Sequence, residues 1–302
     1  LNSNPSIYDA VTLTPHGYYE LKSKPKPEEL KAYYAEKYYQ QSIRVHRHTY
    51  DEDELSHRRN KLAQKLLKVT ALSPSLARSG CTFLDIGAGE GFALGYFHEK
   101  GWDVCGLDYS RFGCETHHSH LLERLIVGDV NESLVHLAKQ ARHFDLVLMD
   151  NLLEHVLDPL ALLRQVTQLL SPTSVLIVEV PNDFSVLQLK LVEQGKIPGP
   201  VWVTVPDHIS YFNHSGLQAL ARDAGLQQLA VQADYPIDFA LFNEHTNYVR
   251  DKTTGRSCHL SRLAVENLMH SISPAAANSY YEALAAMGLG RQIVAFFSKT
   301  SA

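Results

Sequence analysis

One stretch limits what this chain can fold into more than any other: LDIGAGEG at 84–91, an apolar run that ends on an acid and turns at once through three glycines. CTFLDI before it reads as a buried strand, and EGFALGYFHEK after it has helical periodicity. Gly87 and Gly89 let the backbone approach a ligand with no Cβ in the way, and Gly91 sits where a helix must meet the strand closely. The spacing is G-x-G-x-G, and the last glycine of a dinucleotide turn, G-x-G-x-x-G, would fall on Phe92. Asp85 would repel a pyrophosphate and attract a cation.

The same alternation continues along the chain. DVCGLD, RLIVGD, FDLVLMD and SVLIVEV are further apolar runs, separated by helix-like segments such as DPLALLRQVTQLL with Pro159 in its first turn. LQQLAVQAD and RQIVAFFSK read as two last strands. Nearly continuous apolar strands alternating with helices predict an α/β fold: a Rossmann-like, doubly wound, mostly parallel sheet of seven strands. Residues 1–56 are expected to form an N-terminal helical cap, with PKPEELKAYYAEKYYQ helical from Pro27, and a second amphipathic helix is expected at about 57–72. Residues 57–236 and 291–302 would make the main domain, and 237–290 a helical insertion before the last strand, placed as a substrate lid. The segment 182–211 reads as loop.

Two more acids close strands on the same edge of the sheet. Asp108, in VCGLDYS with Tyr109 and Ser110 after it, suits ribose hydroxyls. Asp129 suits an adenine amino group, with the Val130 N–H facing a ring nitrogen. Asp85, Asp108 and Asp129 thus follow three successive strands beside the glycine loop.

Composition narrows the function. A net charge of −5 disfavours nucleic acid as the main partner. Cys81, Cys105, Cys114 and Cys258 show no metal-ribbon spacing and are expected as reduced thiols of a cytoplasmic protein. No apolar run has the length of a membrane span. Oligomeric state leaves no mark on the sequence.

At these residues the chain resembles the class I S-adenosylmethionine-dependent methyltransferases, in the branch that shares an LEHVxDP segment with ubiquinone-biosynthesis O-methyltransferases. LDIGAGEG, GLDYS, GD at 128–129, DLVLMDNLLEHVLDP, EVPND and PDHISYF carry the likeness over roughly 80–235. It implies that Asp85, Gly87, Ala88 and Gly89 hold the methionine part of S-adenosylmethionine, Asp108 the ribose and Asp129 the adenine. Asn151, Leu152 and His155 would line the methyl-donor pocket, and S-adenosylhomocysteine would be the product. PKPEELKAYYAEKYY is similar to a helix of sugar and natural-product methyltransferases in this branch, without the cysteines that precede it there. It implies a cap in which Tyr38 or Tyr39 faces the cofactor.

Methyl transfer from a sulfonium is an in-line displacement that needs alignment, a dry site and often a base. His155 and His208 are the candidate bases by position, with Tyr211 beside His208; each could instead only fix the shape of its loop. His117, His118 and His120 read as a solvated face, not a metal site. A magnesium-assisted route through Asp150, Asn151, Asn182 and Asp183 is disfavoured by spacing, so no metal is expected. The expected activity is methylation of an oxygen or carbon of a small-molecule acceptor, a sugar or natural-product intermediate first and a quinone-like phenol next. The rival readings are an NAD(P)-dependent oxidoreductase and a non-catalytic cofactor-binding protein.

Overall fold

The computed structural model describes residues 7–32, 49–205 and 207–300. In chain order, a short hairpin of β1 (Val11–Leu13) and β2 (Tyr19–Leu21) precedes α1 (Pro27–Ala32) and the long α2 (Glu52–Leu72). The alternating core follows: β3 (Thr82–Ile86), α3 (Phe92–Glu99), β4 (Asp103–Asp108), α4 (Phe112–His118), β5 (Leu125–Val127), α5 (Val130–Lys139), β6 (Phe144–Asp150), α6 (Pro159–Gln168) and β7 (Leu170–Pro181). Then come α7 (Val186–Glu193), β8 (Ser210–Tyr211), α8 (His214–Asp223), β9 (Leu226–Ala233), α9 (Gly255–Ile272), α10 (Pro274–Ala286) and β10 (Gln292–Lys299).

The main sheet has the order β5-β4-β3-β6-β7-β10-β9, and β10 is antiparallel to both its neighbours. Alternation along each strand supplies two cores, because successive side chains leave the pleat on opposite faces. Phe83, Leu146, Leu148, Val294 and Phe296 pack on one face, and Leu84, Ile86, Val147, Met149, Ala295 and Phe297 on the other. The expected doubly wound, mostly parallel sheet of seven strands is therefore present, and the structure shows that its one reversed strand is β10.

Three features depart from the sequence reading. First, α2 begins at Glu52, ahead of 57, because Asp51 and Glu54 form a reciprocal capping box that starts the helix earlier. Second, β1 pairs with β2 and β2 with Ser210–Tyr211 in a small antiparallel sheet, so the N-terminal piece and the 182–211 segment are one structure. Third, that segment is not all loop, since Ser185 caps α7 through a second capping box. The expected helix from Pro27 is described only as far as Ala32, and Tyr38 and Tyr39 lie outside the described residues.

The insertion is fastened to α2. Asn267 bonds Asn60 and the Asp53 carbonyl, Asn278 bonds the Gln64 carbonyl, and Lys68 pairs with Glu282 at 2.8 Å. These contacts lay α9 and α10 along α2, with α10 packed on β9 as well and α9 bringing Arg262 and Leu263 to the cleft described below.

Candidate active site

The strand ends open into a cleft of about 890 Å³. Small-molecule sites occupy roughly 300–1,000 Å³, so there is room for two ligands of moderate size. Eleven of the residues expected at the cofactor site line it: Asp85, Gly87, Ala88, Gly89, Asp108, Tyr109, Asp129, Val130, Asn151, Leu152 and His155. Gly91 and Ser110 are not on its wall. Gly91 instead caps α3 at φ +78, where a Cβ would meet the Cys114 sulfur at 3.0 Å. Ser110 donates its N–H to Asp108 and accepts from the Phe112 N–H.

The glycine loop is held from below. The N–H groups of Gly87 and Ala88 both donate to the Leu107 carbonyl, at 2.8 and 3.0 Å. The Gly89 N–H donates to Asp108 Oδ2 at 2.8 Å, which fixes the second acid to the loop after the first strand. At Gly87, φ is +81 and a Cβ would lie 3.2 Å from Leu152 Cδ1, so both backbone and space require glycine. Asp129 caps α5 through the Asn131 and Glu132 N–H groups and accepts from the Tyr109 hydroxyl at 2.9 Å. In the first turn of α5, the Val130 N–H has no intrahelical carbonyl to meet.

The floor carries a charge network that the sequence reading missed. Lys65 is 5% exposed and reaches from α2 to Asp150 at 2.9 Å and Glu179 at 2.6 Å. Burial opposes its charge, yet the two carboxylates outweigh that and hold its pKa above the ordinary lysine value. Asp85, close by, has its pKa pushed up to about 8 by burial and by Asp150 and Asp108, against the pull of Lys65. The signal was a lysine on the apolar stripe of α2, in line with Leu62 and Val69. Asn151, at φ 51, turns the chain out of β6 and bonds its side chain to Asp150.

A second missed contact closes the cleft at the glycine loop. Tyr50 donates to both oxygens of Glu90, at 2.7 and 2.8 Å, and the Arg58 guanidinium lies over Tyr50 and Phe92. His117 and His118 belong to this cluster, which corrects their assignment to a solvated face: His118 Nδ1 is 2.8 Å from the Glu90 carbonyl and His117 is 3.4 Å from the Glu90 carboxylate. His120 is the exposed one of the three.

Of the three acid–base candidates, only His155 lines the cleft. Its Nδ1 stands 2.8 Å from the Asp207 carbonyl, an acceptor only, so Nδ1 carries the proton and Nε2 is the basic nitrogen. Burial lowers its pKa from the ordinary histidine value, against the pull of Asp207. His208 stands behind it, ring edge to face at 4.8 Å, with its pKa driven down to about 3 by burial and by His155 and Arg291. A base that weak and off the wall is poorly placed for proton removal. Tyr211 is fully buried and donates its hydroxyl to the His208 carbonyl at 2.8 Å, which makes it a strut of the small sheet.

The four-oxygen magnesium set does not gather: Asn182 bonds the Gly288 and Gly290 carbonyls, and Asp183 pairs with Arg291. A different set does. Glu154, His155 and His208 bring one ligand atom each within 4.8 Å of one another. Glu154 Oε2 and His208 Nδ1 are buried with no hydrogen-bond partner among the described residues.

Comparison with known proteins agrees with this geometry. A family model described as a methyltransferase domain matches residues 46–231. A ubiquinone biosynthesis O-methyltransferase from Citrobacter koseri is 36% identical over 101 residues, covering 32% of this chain and 42% of that protein. One from Nitrosospira multiformis is 28% identical over 160 residues, covering 49% and 63%. The chain therefore spans less than two thirds of the length of either relative. Among solved structures, the plantazolicin methyltransferase BpumL in complex with SAH matches with a TM-score of 0.51 at 15% identity, over 90% of this chain and 94% of that one, a likeness of fold.

Proposed function

The chain belongs to the class I S-adenosylmethionine-dependent methyltransferase family, and on that premise we propose that it methylates an oxygen or carbon of a small-molecule acceptor. The observation that carries the reading is the convergence of Asp85, Asp108 and Asp129 with the glycine loop on one wall of a cleft whose adjoining wall holds His155. Asp85 would meet the donor's ammonium, Asp108 its ribose, and Asp129 with the Val130 N–H its adenine. His155 Nε2, the basic nitrogen, would take the acceptor proton as the methyl leaves sulfur. A sugar or natural-product acceptor leads, and a quinone-like phenol, the class named for the ubiquinone relatives, follows.

Calorimetric titration tests the donor assignment. S-adenosylmethionine is expected to bind, with Asp108→Ala weakening it by about 100-fold through two lost hydrogen bonds to the ribose. Heat from a nicotinamide dinucleotide and none from the sulfonium nucleoside would favour the oxidoreductase instead. A tightly held donor never converted to S-adenosylhomocysteine across an acceptor screen would favour a non-catalytic binder.

A second reading of the acid–base group rests on Glu154, His155 and His208. One carboxylate and two neutral imidazoles suit a divalent transition ion, which would polarise an acceptor oxygen and lower its pKa. Elemental analysis of the purified protein separates the two readings.

A further inference from the structure

The cleft has two electrically different walls. The strand-end floor is acidic, with Asp85, Asp150 and Glu179 around Lys65. The facing wall, built by α2 and the inserted α9, presents Lys61 and Arg262. The carboxylate within 4 Å of both is that of Glu266, one turn along from Arg262, and the buried Asp234 acts on both from farther off. Its oxygens are already engaged: Oε2 accepts from His57 at 2.7 Å, and Oε1 accepts from the Tyr281 hydroxyl at 2.8 Å. Lys61 Nζ is left 3.9 Å from Oε1, and Arg262 Nε 3.6 Å from Oε2. Neither cation makes a hydrogen bond among the described residues, and Arg262 Nε is buried from water as well.

Polar donors are costly to bury without acceptors, and cations more so. Here two of them, with side chains about one-fifth exposed, share at 3.6–3.9 Å a carboxylate whose two oxygens each accept a closer hydrogen bond from another group. The Lys61 ammonium is left over the Tyr281 ring, 5.3 Å from its centroid. Such a pair keeps its hydrogen-bond donors free for an anion. Lys65, the cation that acts on Asp85, lies one helical turn away on α2 and sits at the donor's aminoacyl end. Lys61 and Arg262 lie beyond it, on the side of Tyr281 and the insertion.

We propose that Lys61 and Arg262 form an oxyanion site for the methyl acceptor, which therefore carries a carboxylate or phosphate group. The assignment rests on reading the same cleft as the donor site. It also explains what the insertion contributes, since α9 supplies a guanidinium fork that grips a planar or tetrahedral oxyanion with two parallel hydrogen bonds, while Lys61 adds a point charge. Neutral analogues of the acceptor would leave both cations unsatisfied, so the site rejects them.

The test uses the full chain as wild type, Arg262→Gln, Lys61→Gln and Arg262→Lys, followed by calorimetry. Each is first titrated with S-adenosylhomocysteine, and the same protein is then titrated with benzoate, inorganic phosphate and the neutral benzyl alcohol. The expected result is homocysteine-nucleoside affinity within about threefold across the set, with benzoate or phosphate bound by saturated wild type and benzyl alcohol not. The two glutamine variants should weaken the anion by about tenfold or more, and Arg262→Lys should recover part of it. A tenfold loss of nucleoside affinity in Arg262→Gln would assign the pair to the donor's own carboxylate and overturn the proposal. So would wild type that binds neither anion, or that binds benzyl alcohol as well as benzoate. Arg262→Lys keeps the charge and separates a folding defect from a lost contact. Wild type that ignores the nucleoside yet binds an anion through these two cations would remove the methyltransferase reading and retain the oxyanion site.

Discussion

The His155 ring and the main chain of Asp207 are joined by a 2.8 Å hydrogen bond, and that bond decides which ring nitrogen can accept a proton. With Nδ1–H committed to a carbonyl, Nε2 is basic and the ring cannot flip without losing a buried partner. His155→Ala is expected to lower turnover by about 100-fold, a typical general-base contribution, with donor affinity within about threefold. His208→Phe keeps a ring against His155 and is expected to stay within about tenfold of wild-type turnover. Steady-state release of S-adenosylhomocysteine with an acceptor in excess measures both, and the opposite ranking would return the role of base to His208.

Asp85 links donor binding to pH. Its carboxyl titrates near 8 in the folded, ligand-free cleft, raised by burial and by Asp150 and Asp108. A cationic donor favours the ionised form, so binding should release a proton below that pH. Affinity is therefore expected to fall by up to about tenfold for each pH unit below 8, and to fall again at higher pH as the donor's own ammonium, with an ordinary pKa of about 8, loses its proton. Calorimetry between pH 6 and 9 in buffers of different ionisation enthalpy reads the proton directly.

The same carboxyl destabilises the empty protein. Its unfolded pKa is near 3.8 and its folded pKa near 8, so the folded state holds the extra proton between them and stability declines as pH rises through that window. Asp85→Asn is expected to raise the melting temperature of ligand-free protein at pH 8–9 while abolishing donor binding. Differential scanning calorimetry with and without donor would show the two effects apart.

Among the described residues, Lys65 is the only cation that pairs with both Asp150 and Glu179. Removing one member of a buried charge group costs about 3–5 kcal/mol, because its partners are left uncompensated. Lys65→Met should lose stability on that scale in urea unfolding, and adding Glu179→Gln should recover part of it. Additive losses in the double variant would show that the three do not act as a unit.

Chelation tests the second reading of the Glu154, His155 and His208 group. If His155 acts as a base, dialysis against a strong chelator leaves turnover unchanged. If an ion is held there, turnover falls and recovers with added zinc or manganese, and Glu154→Gln lowers the metal content measured by elemental analysis.

How much of this was legible follows the range of each interaction. The glycine loop and the strand-end acids are local, since a strand, a turn and a helix start lie within a dozen residues and declare themselves by periodicity and glycine spacing. The seven strands were readable for the same reason. The start of α2 was also written locally, in the D-x-x-E of Asp51 and Glu54, but the apolar stripe drew the boundary later. β1, β2 and β8 were not readable, because strands of two or three residues carry too little pattern. The basic wall was not readable either: Lys61, Arg262, Glu266 and Tyr281 become neighbours only through the docking of α9 and α10 on α2. The depth of His208 and Tyr211 was not readable, because sequence reports a loop but not the layer of the wall in which a side chain ends.

The position of β10 bears on how the molecule is assembled. It fills the gap between β7 and β9, yet of the described strands it is the last to be synthesised. Until it inserts, both neighbours expose an open row of amide and carbonyl groups, a template for pairing with other chains. The hairpin of helices α9 and α10, which packs on β9 and α2, precedes it in the chain. The chamber's floor is thus completed by the last of the described strands, and truncation within its eight residues should yield aggregates, not a smaller enzyme.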